Sequence, residues 1–186
     1  MAKINRSFAT ALSLLIFFGI LTLNLSAAQA IDPIKIVLPA VSDKSGFNSF
    51  EINSVLFNKL RSQFRFPKYD ILSVPALTQP SERPALERIV QENSAEGIVN
   101  LEITRLRSYT RNSFLDDEII DETNLTLTLT YYDKKSGQYG RMTADRSVTE
   151  LAGVFSGPVP HSLSALEELL NRLDKVFPRQ FPGPRY

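Results

Sequence analysis

Apolar residues recur along this chain with two different periods, and the switches between them mark out its elements. Ile34-Lys35-Ile36-Val37-Leu38-Pro39 is a short β-branched run closed by proline, which predicts a strand. After the turn-forming Ser42-Asp43-Lys44-Ser45-Gly46, Ile52, Val55, Leu56, Leu60 and Phe64 recur at helical spacing. Asn48 with Glu51 reads as a capping box, and Phe47 with Ile52 as a hydrophobic staple, so a helix is expected from Ser49 to Phe64. Tyr69 to Val74 reads as a second strand and the three-proline stretch from Pro75 to Pro84 as a loop. A helix with Leu86, Ile89 and Val90 on one face follows from Pro84 to Asn93, and Gly97 ends it.

The period then becomes two. Val99, Leu101 and Ile103 alternate with Asn100, Glu102 and Thr104, and from Thr123 onward Leu125, Leu127, Leu129 and Tyr131 alternate with Asn124, Thr126, Thr128 and Thr130. Lys134-Lys135-Ser136-Gly137 supplies a hairpin turn, and a less apolar return strand from Arg141 to Thr149 is expected near a sheet edge. After a Gly/Pro loop from Gly153 to Pro160, Leu163, Leu166, Leu170, Leu173 and Phe177 predict a last helix, with Ser164 and Glu167 as its capping box. The order β-α-β-α-β-β-β-α predicts an α/β (α+β) fold, a single mixed sheet with helices packed on it.

The first 30 residues read differently. Lys3 and Arg6 precede an apolar stretch from Leu12 to Leu23, and Ala28-Gln29-Ala30 is a small-x-small site. These are the parts of a secretory signal. The apolar run is shorter than the roughly 20 residues that span a bilayer. Cleavage is therefore expected between Ala30 and Ile31. That leaves one α/β domain over residues 31–177 and a proline-rich tail over 178–186. The mature chain is expected to be exported, to the periplasm or beyond, with no transmembrane helix.

Composition narrows the chemistry. The 186 residues are 43% hydrophobic and 22% charged, ordinary for a folded domain. Without Lys3 and Arg6 the 21 basic residues become 19 against 20 acidic, so the mature part is near −1 and has no general electrostatic reason to seek nucleic acid. The chain has no cysteine, which excludes a disulfide, a thiolate metal site, a cysteine nucleophile and a lipid anchor on cysteine.

The single histidine, His161, lies just before the last predicted helix and reads as a cap-region loop residue. The serine in Gly153-Val154-Phe155-Ser156-Gly157 lacks the spacing of a nucleophile elbow. No phosphate-binding glycine motif is present. Asp116, Asp117, Glu118, Asp121 and Glu122 form an acidic cluster without the spacing of a calcium loop; it reads as a charged hairpin connection, with cation binding left open. No cofactor and no enzymatic activity are expected. An enzyme using Asp43, Asp116 or Asp121, and a small-ligand or glycan site lined by Tyr109, Phe114 or Phe155, remain the alternatives.

The Val37-Leu38-Pro39 strand with its capped helix, the strand Gly97-Ile98-Val99-Asn100-Leu101-Glu102-Ile103, and the Leu/Thr strand ending in Asp133-Lys134-Lys135-Ser136-Gly137 together resemble a group of bacterial envelope domains. That group includes the curli secretion channel subunit, the lipoprotein activator of a penicillin-binding protein and the N-terminal domain of the Tol-Pal translocation protein. The resemblance covers residues 34–177 and implies a non-enzymatic domain that docks other envelope proteins, with self-association left open. Several members are lipoproteins; this chain has no cysteine to acylate. The edge formed by Arg141, Thr143, Asp145, Ser147 and Thr149 is the expected partner-binding strand.

Overall fold

In the computed structural model, residues 32–112, 118–153 and 156–179 are described. The chain divides into two compact units, the first ending at Asp32 and the second beginning at Pro33; every described element belongs to the second. The expected signal segment, with Ala30 and Ile31 at its cleavage point, lies outside the described residues, as do Phe114, Asp116, Asp117 and Phe155.

Six strands and three helices follow in order: β1 (Ile34–Pro39), β2 (Ser42–Asp43), α1 (Phe50–Arg61), β3 (Tyr69–Val74), α2 (Arg83–Glu92), β4 (Gly97–Asn112), β5 (Ile119–Asp133), β6 (Gln138–Leu151) and α3 (Pro158–Leu173). All strands join one mixed sheet in the order β3-β1-β4-β5-β6, so the α/β expectation holds, with one short strand added. β1 runs parallel to β3 and β4, β2 continues beside β4 past the break at Pro39, and β4, β5 and β6 form an antiparallel meander. β6 is an edge strand, as its weaker apolar pattern predicts.

The alternation of side chains divides the sheet into two faces. On one, Ile36, Leu38, Val99, Leu101, Ile103, Leu125, Leu127 and Leu129 pack against Ile52, Leu56 and Leu60 of α1 and Leu166, Leu169, Leu170 and Leu173 of α3. Phe64, Tyr69, Tyr131 and Phe177 close this core with edge-to-face contacts, their ring centroids 5.1 to 6.2 Å apart. On the other, Val37 and Ile98 pack against Leu86 and Val90 of α2. The central strand β1 is apolar toward both faces because both are covered at that end.

Several boundaries differ from the sequence expectation. The N-cap of α1 is Ser49, whose Oγ accepts from Ile52 N at 3.3 Å. Asn48 does not cap: its backbone is left-handed (φ 51°) rather than extended, and its N–H goes to Asp43 Oδ2 at 2.8 Å instead of to the Glu51 of a capping box. Phe47 is consequently exposed rather than stapled onto the helix. α3 begins at Pro158, earlier than expected, with Gly157 as its N-cap and no side-chain capping bond. Its prolines sit in the first turn, where no N–H is needed. His161 therefore lies inside the helix, and Ser164 caps nothing.

The start of the C-terminal tail is tied down. Tyr69 and Lys68 both donate to the carbonyl of Pro178, at 2.9 and 2.6 Å. Arg179 donates from its backbone to Asp174 at 2.6 Å and from its guanidinium to Glu167 and Asn171.

Candidate functional site

β4, β5 and β6 are 16, 15 and 14 residues long, well over the usual 5–6. They outrun the helix that covers the α2 face. A β-bulge between Ile103 and Arg105 changes which side chains point where. Before it, Asn100 and Glu102 face α2's side; after it, Arg105, Arg107, Tyr109 and Arg111 do, while Leu106 returns to the core. Thr104, the extra residue, bonds the Thr126 carbonyl at 3.2 Å.

Pairing register then places side chains in rows across three strands. Asn100 meets Thr130 and Arg141; Glu102 meets Thr128 and Thr143; Arg105 meets Thr126 and Asp145; Arg107 meets Asn124 and Ser147; Tyr109 meets Glu122 and Thr149. The five residues expected to form a partner-binding strand, Arg141, Thr143, Asp145, Ser147 and Thr149, are all exposed and all on this face. The threonine alternation is not simply a solvent side: Thr128 and Thr130 are each only 1% exposed, whereas Thr126 is half-buried.

The acids on this face are satisfied internally. Asp145 accepts from Thr126 Oγ1 at 2.6 Å. Glu122 accepts from the Tyr109 hydroxyl and from Arg111 Nε at 2.6 Å. Those two bonds, Tyr109's first, hold the Glu122 carboxyl below its ordinary range, and the same bond raises the Tyr109 phenol. Arg105, Arg107 and Arg141 have no hydrogen-bond or ion-pair partner among the described residues, so the face carries three unneutralised guanidiniums.

At its upper margin the face passes under the loop before α2 and becomes a buried polar cluster. Asn100 Nδ2 donates to Ser81 Oγ at 2.7 Å, Ser81 Oγ donates to Glu102 Oε1 at 3.2 Å, and Lys44 Nζ reaches the same oxygen at 2.6 Å. Tyr139 donates to the Ser81 carbonyl. Asn100 Oδ1 and Thr130 Oγ1, on directly paired residues, are buried with no hydrogen-bond partner among the described residues, the arrangement that one ordered water satisfies.

A third cluster lies where β5, β6 and α3 meet. Ser156 Oγ donates to Asp121, while His161 Nε2 pairs with Glu150 at 2.6 Å and Glu150 also accepts from Gly157 N at 3.1 Å. The hydroxyl and the imidazole thus belong to separate pairs. A hydrolytic triad needs them hydrogen-bonded to each other. The bonds from His161 and Ser156 hold the Glu150 and Asp121 carboxyls below their usual ranges. Of the other carboxylates considered for chemistry, Asp43 is occupied in ordering its own loop, accepting from Ser45 N, Ser45 Oγ and Asn48 N. Among the described residues no group of three metal-ligating side chains comes together, and no helix is long and apolar enough to cross a membrane.

The row of guanidiniums was hidden in the sequence by the bulge: Arg105 and Arg107 fall out of step with Asn100 and Glu102, and only cross-strand register shows that they share a face with Arg141.

Fold and face together define a mixed α/β domain whose meander extends beyond its helices as a polar platform. No protein-family model matches the chain, and no curated protein matches it in sequence. Solved structures do. A protein from Helicobacter pylori described as a neuraminyllactose-binding hemagglutinin homolog superposes with a TM-score of 0.50 at 12% identity, covering 78% of this chain and 86% of its own. The PelC dodecamer from Paraburkholderia phytofirmans gives 0.46 at 16% identity, over 80% and 91%. Lipoprotein GNA1162 from Neisseria meningitidis gives 0.42 at 13%, over 77% and 99%. All three are bacterial proteins, and the likeness to the first is one of fold alone.

Proposed function

We propose that this chain is an exported, non-enzymatic interaction or assembly protein that docks other components of a bacterial cell envelope on the open face of β4, β5 and β6. The observation that carries this reading is the face itself: a polar sheet surface over the far half of three long strands, with no described helix packed on it. Antiparallel sheets commonly leave one side to solvent, but these strands need not be so long for that.

Recognition on this reading goes through side chains more than through the edge backbone. Two edge-strand carbonyls are already used: Arg172 donates to Thr143 O at 3.0 Å and Arg146 to Asp145 O at 2.9 Å. Such engagement discourages an added strand in the middle of β6.

The test is cross-linking and affinity purification of the processed protein from its own envelope, with mass determination of its N-terminus. A start at Ile31 and one recurrent envelope component support the reading. An uncut N-terminus, or no recurrent component, counts against it.

A small-ligand reading is favoured by one feature, a depression of about 310 Å³ lined by Gln79, Pro80, Glu82, Pro84, Ala85 and Arg88, at the lower end of ligand-site volumes. It lies away from Tyr109, the described member of the aromatic set expected to line such a site. Thermal stabilisation by a metabolite, lost in Arg88→Ala, would favour this reading.

A further inference from the structure

Resting on the reading of the open face as the docking surface, we propose that what the face recognises is a linear polysaccharide bearing carboxylate groups. Three features point to this occupant. The first is charge. Glu122 is ion-paired with Arg111, and Glu102 with Lys44, so Arg105, Arg107 and Arg141 stand against one remaining carboxylate charge of these rows, Asp145, which takes only a hydroxyl bond from Thr126. The face is thus locally cationic on a mature chain that is near neutral. A guanidinium fork matches a carboxylate through two parallel bonds. Arg105 and Arg107 stand two residues apart on one strand, about 6.7 Å along it, a spacing that lets neighbouring forks grip successive acidic groups of one extended chain.

The second is the ground between the cations. Thr126, Asn124, Thr143, Ser147 and Thr149 supply hydroxyl and amide groups in register, and the half-exposed ring of Tyr109 stands at the end of the guanidinium row. Sugar hydroxyls pair with the former and pyranose faces stack on the latter. The third is shape. Apolar side chains are absent from these rows until Ile120 and Leu151 at the far end. A protein partner brings an apolar interface core, and between the guanidiniums this face offers it only the Tyr109 ring. A flat surface also suits a polymer better than a small molecule, which needs a concave site.

The experiment measures binding of the full chain to immobilised polygalacturonate, with neutral dextran, dextran sulfate and poly-L-glutamate as comparisons, for wild type and for the triple variant Arg105→Gln, Arg107→Gln, Arg141→Gln. These arginines are exposed and make no bonds within the described structure, so the variant is expected to melt like wild type. The expected result is binding to polygalacturonate that weakens with salt, no binding to dextran, and at least about a tenfold loss in the triple variant. No binding by wild type at low salt, unchanged binding by the variant, or equal binding of dextran sulfate or poly-L-glutamate would each overturn the proposal, the last assigning the face to anions at large or to an acidic peptide. The docking reading fails separately. If Ser147→Tyr abolishes capture of the envelope component while polygalacturonate does not bind, the face docks something else; if Ser147→Tyr leaves capture intact, the face is not the docking surface.

Discussion

At the scale of single residues, buried polar groups carry the sharpest consequences. Asn100 is wholly buried and its amide holds Ser81 over the sheet. Truncation leaves the Ser81 hydroxyl and Glu102 short of a donor, and stranded buried groups cost about 1–3 kcal/mol. Asn100→Ala is therefore expected to lower stability by that amount in denaturant titration, whereas Thr143→Ala on the exposed face stays within about 0.5 kcal/mol. Tyr69 behaves differently. Burial, reinforced by Asp174 and Asp133, pushes its phenol up to about 12, and the hydroxyl donates to Pro178. Tyr69→Phe keeps the ring against Phe64 and loses one bond, about 0.5–1.5 kcal/mol.

Acid acts through four carboxylates, one of them Glu167, which, against the opposing effect of burial, Lys59 and Arg179 hold below its ordinary value. Glu122, Glu150 and Asp121 are each held below their ordinary values, 4.5 for the glutamates and 3.8 for the aspartate, chiefly by bonds from Tyr109, His161 and Ser156. A group whose value falls on folding stabilises the fold above its unfolded value, and that contribution is lost as pH drops through the lower folded one. The melting temperature is thus expected to fall as pH goes below about 4.5, and Glu122→Gln and Glu150→Gln should each shrink that fall. An acid loss in both variants as large as in wild type would show that these pairs contribute nothing.

At the scale of elements, pattern and pairing decided different things. The leucine alternation of β5 and the helical stripe of α3 are visible in the residues, because each buries one face against a continuous core. The ends are not. β4 runs on through Arg105 to Asn112 with Leu106 as its one buried apolar residue, since one side of that stretch faces solvent and the bulge breaks the alternation. The start of α3 reads as a loop because its prolines resemble punctuation, yet the first helical turn needs no N–H. The N-cap moved from Asn48 to Ser49 through Asp43, a loop contact that no helix rule contains.

Cross-strand pairing also explains a glycine. Gly140 lies opposite Tyr131, and a Cβ there would come within 2.5 Å of its ring. That ring is held edge-on to Phe177 at 6.2 Å and has little freedom to retreat. Gly140→Ala is expected to cost about 1–3 kcal/mol through overpacking, detectable as a lower melting temperature with unchanged secondary structure.

At the scale of the whole molecule, the class of fold was legible because helices and strands alternate early and strands follow one another late. The five residues Arg141, Thr143, Asp145, Ser147 and Thr149 could be picked out as one side of a weak strand. What surrounds them could not, for it depends on which strands are neighbours and in what register. Only the assembled sheet brings Arg105 and Arg107 beside Thr126 and Asn124 and leaves that surface uncovered by any described helix. The single histidine pairs with Glu150, and the pair fastens the start of α3 to the edge strand.

If the open face of β4, β5 and β6 is where this protein meets its partner, a probe on that face must touch the partner and a probe elsewhere must not. Site-specific photo-cross-linking in intact envelope tests this most directly, with the reactive residue placed at Ser147 on that face or at Glu92, exposed on α2. A discrete adduct, to protein or glycan, is expected from Ser147 and none from Glu92. An adduct from Glu92 with none from Ser147 would contradict a docking role for the face.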